Sequence, residues 1–180
     1  IMNIAILLGS PRKDGNTAKL VEAFKNGASK NNNVEIIAVS DYNVGACKGC
    51  NFCFQNNEHL CIQNDDMQQI YAKLKKADML VIASPVYFYS ISSQLKTIID
   101  RLHNPIRDSF NIKHLALLVV GASSSIPDLF AAIEKQYELC LNFFHLNDAG
   151  RILVRGMKTK DAILETDALN KAFELGESIK

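Results

Sequence analysis

The sequence has no apolar run near the roughly 20 residues that a membrane-spanning helix needs, so no membrane association is expected. It also has little net charge, +1 at pH 7. A domain that holds nucleic acid without sequence preference needs a basic surface, and this balance argues against one. Internal repeats, linkers and low-complexity tracts are absent. The start lacks the basic region, apolar stretch and cleavage site of a secretory signal, so a cytoplasmic location is expected. Cysteines in that compartment serve as metal ligands or redox groups more often than as structural disulfides. Only four histidines occur. No Ser-His-Asp or paired-carboxylate arrangement can be read from the spacing, and no side chain is assigned a catalytic role.

What is present is an ordinary globular composition, 48% hydrophobic and 22% charged over 180 residues. A chain of this length fits one domain, residues 1–180, and can bury about 70% of its unfolded surface. Apolar runs and helical stripes alternate throughout. Runs of strand type fall at Ile4–Leu8, Val34–Val39, Met79–Ala83 and Leu115–Val120, with a fifth strand inside the stretch Phe143 to Val154. Between them, helical spacing links Thr17, Leu20, Val21 and Phe24; Met67, Ile70, Tyr71 and Leu74; Leu95, Ile98, Ile99 and Leu102; and Leu129, Phe130, Ile133 and Tyr137. The last of these helices is expected to start near Pro127, and Leu169, Ala172, Phe173 and Ile179 mark a final one. Asp65 and Gln68 form a candidate capping box before Met67. Strand–helix alternation of this kind implies an α/β doubly wound parallel sheet of five strands. The expected order is 2-1-3-4-5, the flavodoxin-like arrangement, whose ligand crevice lies between strands 1 and 3.

The loops after those two strands are distinctive. Gly9-Ser10-Pro11-Arg12-Lys13-Asp14-Gly15-Asn16-Thr17 follows the first strand. A helix N-terminus offers free N–H groups and partial positive charge to an anion. Ser10, Asn16 and Thr17 add short hydrogen-bonding side chains, and Arg12 suits phosphate oxygens. The loop is neither a Gly-Lys-Ser/Thr phosphate loop nor a Gly-x-Gly-x-x-Gly fingerprint, and it also reads as a simple polar turn with a cap. Ser84-Pro85-Val86-Tyr87-Phe88 follows the third strand. Its aromatic and backbone groups suit a flat ring such as isoalloxazine. They also suit packing beneath the next helix. Gly121-Ala122-Ser123-Ser124-Ser125 after strand four allows close approach of a ligand or a plain helix cap. A phosphate loop, a ring-stacking loop and a cysteine cluster together suggest redox chemistry on a flavin.

Ser10-Pro11-Arg12-x-x-Gly15-Asn16-Thr17 and Ser84-Pro85-Val86-Tyr87-Phe88 resemble the two signatures of the NADPH-dependent FMN reductase family. The resemblance extends from Met2 to about Arg101. It implies FMN on a flavodoxin-like fold, a homodimer or homotetramer, and electrons from NAD(P)H or a protein donor such as ferredoxin. By position it implies that Ser10, Arg12, Asn16, Thr17 and Ala18 hold the FMN phosphate and that Pro85, Val86, Tyr87 and Phe88 line the ring. Ser123 and Ser124 stand where family members often have a glycine-rich, ring-contacting loop, a departure that weakens that third contact. The implied reaction is hydride transfer from NAD(P)H to flavin, then delivery to a small acceptor such as a quinone, free flavin or nitro compound. A non-catalytic flavin-binding sensor is the alternative from another class.

The cysteines add a further expectation. Cys47-x2-Cys50-x2-Cys53-x7-Cys61 lies in residues 40–64, a glycine- and asparagine-rich stretch without clear period. The compact run resembles the one that holds a cubane in bacterial ferredoxins, and the motif is similar to that of the family's iron–sulfur flavoprotein branch. A [4Fe–4S] cluster on Cys47, Cys50, Cys53 and Cys61 would make the protein a relay of single electrons between carriers. Zinc usually takes two separated Cys-x-x-Cys knuckles, and a metal-free, thiol-redox loop is the bland alternative. Cys140 shares the stripe of Ile133 and Tyr137 and is expected in the core. His59 is expected to be an exposed polar residue within the cysteine loop, and Asp100-Arg101 a solvated helix end.

Overall fold

The computed structural model describes all 180 residues. Five parallel strands form one sheet in the order β2-β1-β3-β4-β5. They are β1 (Asn3–Leu8), β2 (Asn33–Ala38), β3 (Met79–Pro85), β4 (His114–Val120) and β5 (Asn147–Val154). The helices are α1 (Asn16–Ala28), α2 (Met67–Leu74), α3 (Ser93–Arg101), α4 (Ala131–Phe144) and α5 (Ala168–Ser178). The expected topology is the observed one.

The strands read as continuous apolar runs because both faces of the sheet are covered. Alternate side chains divide between two cores. Ile4, Ile6, Leu8, Met79, Val81, Ala83, Ala116 and Leu118 pack against α1 and α5. Ala5, Leu7, Leu80, Ile82, Leu115, Leu117 and Val119 pack against α2, α3 and α4. The helical stripes follow the same logic: Leu20, Val21 and Phe24 of α1 are fully buried, as are Met67, Ile70 and Leu74 of α2.

Some boundaries differ from the sequence reading. Pro127 to Phe130 form turns, and α4 starts only at Ala131. Within the stretch Phe143 to Val154, Phe143 and Phe144 end α4, and the expected fifth strand occupies Asn147–Val154. The expected capping box does not form. Met67 N–H donates to Asp65 Oδ1 at 3.2 Å, while the cap position falls to Asp66 without a side-chain bond. The Asp65 carboxylate is held by a residue far away in sequence, described below.

Helices α1 and α5 cross at two glycines. A Cβ on Gly27 would lie 2.0 Å from Phe173 O, and one on Gly176 would lie 2.1 Å from Phe24 O. Both obstacles are backbone, so neither can swing aside. Gly27→Ala is expected to destabilise the chain by about 1–3 kcal/mol, the usual range for overpacking. Urea unfolding followed by circular dichroism should show a lower midpoint with unchanged slope.

Candidate functional site: the carboxyl edge of strands one and three

The pairing of β1 with β3 sets Leu8 beside Ala83. Gly9 extends the ladder, its N–H donating to Ala83 O at 2.7 Å. The position needs glycine, since a Cβ there would lie 2.8 Å from Leu95 Cβ. Ser10 is buried, and its Oγ accepts from Arg12 N–H at 3.2 Å. The chain then turns so that Gly15 Cα leads into α1 in an extended conformation. No side chain caps α1, and no acid sits in its first turn. The first N–H groups of a helix have no partner within it, and those of Asn16, Thr17 and Ala18 find none outside it. The charges nearby are paired: Lys13 with Asp41 at 3.2 Å, Lys19 with Asp161 at 2.7 Å, and Lys160 with Asp14. Arg12 is exposed and stands outside these pairs.

Asn16 departs from its expected role. Its Nδ2 donates to Thr159 O at 2.9 Å, and its Oδ1 accepts from Ile163 N–H at 3.4 Å. The side chain ties α1 to the segment before α5, which leaves only its backbone N–H for an anion. Thr17 and Ala18 are buried under the first turn.

The second loop is a tight hairpin. Val86 N–H donates to Val120 O at 2.8 Å. Tyr87 and Ser90 exchange backbone bonds of 2.8 and 3.1 Å. Between them Phe88 and Tyr89 both adopt left-handed backbone, φ 48° and 68°. Turns with two positive φ values normally use Asn or Gly. Two aromatics held so cost on the order of 1–3 kcal/mol each, strain that gathers at binding sites. Phe88 is 97% exposed.

A serine relay joins the two loops, and the sequence reading missed it. Ser92 Oγ donates to Gly9 O at 2.6 Å and accepts from Leu95 N–H at 3.3 Å, which caps α3. Ser92 N–H donates to Ser84 Oγ at 3.0 Å, and Ser84 Oγ donates to Pro85 O at 2.7 Å. Both serines are fully buried. A Ser-x-x-Leu before a helical stripe was the available signal, since serine favours the cap position. The third loop is built from its own bonds. Ser123 Oγ accepts from Ser125 N–H at 3.2 Å and Ile126 N–H at 3.3 Å, so it caps its own turn; Ser124 is exposed.

The cysteine loop is anchored by a buried ion pair. Arg101 is only 2% exposed, which overturns its reading as a solvated helix end. Its Nη1 donates to Gly45 O at 2.8 Å and Asp65 Oδ2 at 2.7 Å, and its Nη2 to Asp65 Oδ1 at 3.1 Å. Burial pushes the Asp65 carboxyl up, but the bonds from Arg101 and from the Gly45 and Met67 N–H groups outweigh it and hold it below the usual range. Inside the loop Cys47 and Cys50 are exposed, while Cys53 and Cys61 are partly covered. Burial raises the Cys53 thiol, with a smaller push from the three other thiols of the loop. The four thiols lie on one loop. They are not drawn into a ligand set: no group of three His, Cys, Asp or Glu is placed to hold a metal. In kind, four thiols on one loop suit a thiolate-bound cluster. Cys140 sits apart, packed against the α2–α4 core, where burial raises its thiol. His59 is tied into the loop: its Nδ1 lies 3.1 Å from Cys53 O and its carbonyl accepts from Asn104.

The Asp65 shift has a pH consequence. A carboxyl whose folded pKa lies below its unfolded value near 3.8 adds stability above that value and loses it as pH falls through the folded pKa. Asp65→Asn should therefore be destabilising at pH 7, by about 3–5 kcal/mol for a broken buried pair. The gap to wild type should narrow below about pH 4. Urea midpoints for both proteins at pH 7, 4 and 3 check this.

Comparisons with known proteins identify the family. An iron–sulfur flavoprotein of Methanocaldococcus jannaschii is 38% identical over 125 residues, 68% of this chain and 63% of that protein. A second, from Archaeoglobus fulgidus, is 37% identical over 127 residues, 68% of this chain and 56% of that protein. The matches therefore span only about three-fifths of those curated relatives. In three dimensions the chain is similar to an NAD(P)H:quinone oxidoreductase from Methanothermobacter marburgensis, with a TM-score of 0.77, 16% identity, and coverage of 99% of this chain and 96% of that one. At that identity the likeness shows the fold, including its sheet order. The family model for NADPH-dependent FMN reductase matches residues 2–148, through both loops and the cysteine motif. The chain belongs to the NADPH-dependent FMN reductase family.

Proposed function

We propose that this chain is an FMN-dependent oxidoreductase that passes electrons from NAD(P)H to a small acceptor, a quinone, free flavin or nitro compound. The observation that carries this reading is the carboxyl edge of β1 and β3. There an uncapped helix N-terminus with an unpaired Arg12 is locked by the Ser84–Ser92–Gly9 relay to a strained aromatic turn. When bound, FMN supplies hydride and single-electron chemistry that no side chain here provides.

The residues divide by role. The N–H groups of Asn16, Thr17 and Ala18 and the Arg12 guanidinium neutralise and orient the phosphate, with Ser10 shaping the turn that presents them. Pro85, Val86, Tyr87 and Phe88 form the bed for the ring, held rigid by the Tyr87–Ser90 backbone pair. Ser123 and Ser124 flank it from the third loop. Tyr87, Phe88 and Tyr89 leave apolar surface at the rim, which suits closure by a second copy in a homodimer or homotetramer. A purely sensory flavoprotein would oxidise no NAD(P)H in the steady state.

The four loop cysteines favour a second reading, in which Cys47, Cys50, Cys53 and Cys61 hold a [4Fe–4S] cluster and the protein relays single electrons, with ferredoxin as a candidate donor. The support is the donor set and the names of the relatives above.

Two measurements test these assignments. Arg12→Ala should weaken FMN binding by about 1.5–3 kcal/mol, the range for a hydrogen bond to a charged group. That is a loss of roughly 10- to 150-fold in flavin fluorescence titration, and an unchanged constant would remove Arg12 from the site. For the cluster, anaerobically reconstituted protein should carry iron and acid-labile sulfide. Serine at any of the four loop cysteines should lower both while FMN stays bound, and Cys140→Ser should alter neither. Iron-free wild-type protein would end the relay reading and leave the reductase reading standing.

A further inference from the structure

We propose that Arg101 is a positioning residue that closes the base of the cysteine loop and registers its thiols against α3, the same helix that carries the flavin-loop relay. The two ends of α3 hold different parts of the site. At the N-terminal end, Ser92 bonds Gly9 and Ser84. At the C-terminal end, the planar fork of Arg101 bonds Gly45 O where the chain enters the loop and both oxygens of Asp65 where it leaves. Asp65 returns the contact by accepting Gly45 N–H at 3.0 Å and Met67 N–H at 3.2 Å. One guanidinium thus pins residues 20 positions apart.

Neighbouring bonds hold this clamp in place. The backbone carbonyl of Arg101 accepts from Tyr71 Oη at 2.6 Å, which fixes the end of α3 against α2. Asn104, just beyond α3, donates Nδ2 to His59 O at 2.8 Å and so fastens the far part of the loop. Phe54 rests on the His103 ring, with centroids 5.2 Å apart. Other bonds tie the loop as well: Asn43 N–H donates to Asp66 Oδ2 at 2.7 Å, Asp66 N–H to Asn43 O at 3.1 Å and Gln63 Nε2 to Ala46 O at 3.0 Å near its base, and Asn56 bonds Phe52 O and Leu60 N–H within it. Backbone between Cys47 and Asn51 belongs to no regular element, and Gly49 and Asn51 take left-handed conformations. An irregular thiol-bearing loop with a buried base fixes where its cysteines leave and rejoin the fold. A buried pair is worth little net stability compared with an apolar replacement, so its use here fits specification of geometry. Lysine cannot substitute, because only the guanidinium fork reaches a carbonyl and two carboxylate oxygens together.

The importance of this anchor for electron transfer rests on the proposed role of the loop; the anchor itself is tested on metal-free, reduced protein. Thiols are pulse-alkylated with iodoacetamide and read one by one by mass spectrometry. In wild type, Cys53 and Cys61 should react at least tenfold more slowly than Cys47 and Cys50. In Arg101→Lys, and in Arg101→Met combined with Asp65→Asn, which leaves no lone buried charge, Cys53 and Cys61 should rise to within about threefold of Cys47. Cys140 should keep its wild-type rate, and FMN affinity should stay within about twofold. Slow Cys53 and Cys61 in the folded variants would overturn the proposal, and so would acceleration of Cys140 in step with them, which reports general loosening. Wild-type hydrogen exchange gives an arm that needs no variant. The Gly45 and Met67 amides, both donated to Asp65, should exchange at least 100-fold more slowly than those of Lys48 to Asn51, and equal rates would overturn the clamp. Absence of FMN and iron binding would remove the proposed function while leaving these rates to decide the anchor.

Discussion

The site depends on one register, the parallel pairing of β1 with β3 that sets Leu8 beside Ala83. The strands are distant in sequence, and the chain reverses its winding direction between them. Crossovers therefore leave to opposite faces, and the two loops part to open a crevice at the carboxyl edge. Gly9 continues the ladder by one bond, and its missing Cβ lets α3 close over it. Ser92 then fastens the Gly9 carbonyl to the cap of α3. A shift of the register by one residue would reverse every side chain on both faces and separate the relay.

The same helix transmits this order outward. Its apolar stripe, Leu95 and Ile98, is buried against the sheet and places its two ends at different parts of the carboxyl edge. What differs between the ends is chemistry. Neutral serines hold the flavin loops, where no charge must be buried. An ion pair holds the cysteine loop, where a carbonyl and a carboxylate from its two ends must meet. The pair is buried enough that losing either partner strands the other, which makes the arrangement all-or-none.

On the opposite face, α1 is kept close to α5 by glycines at Gly27 and Gly176. Asn16 adds a polar tie from the first turn of α1 to the segment before α5. The helix that offers its N-terminus to an anion is thus braced along its length by late sequence. Residues beyond 148, which follow the matched family region, therefore brace the start of α1.

The sequence by itself determined the strands, the helices and the sheet order, because burial on two faces writes continuous apolar runs and 3.6-residue stripes that need no knowledge of partners. It also marked the phosphate and aromatic loops, since glycine, proline and short polar residues punctuate strand ends. Only the tertiary structure decided the rest. Asp65 read as a cap and Arg101 as a solvated end because each is locally reasonable; their pairing across 36 positions is visible only once α2 and α3 lie side by side. The Asn16 side chain looked free for the same reason, but Thr159 and Ile163 hold it, and only its backbone N–H is without a partner of this kind. The left-handed backbone of Phe88 and Tyr89 is imposed by the Tyr87–Ser90 pair against their own preference. Spacing of the four loop cysteines shows how near they are along the chain, but not that the ends of their loop are joined through Arg101 and Asp65.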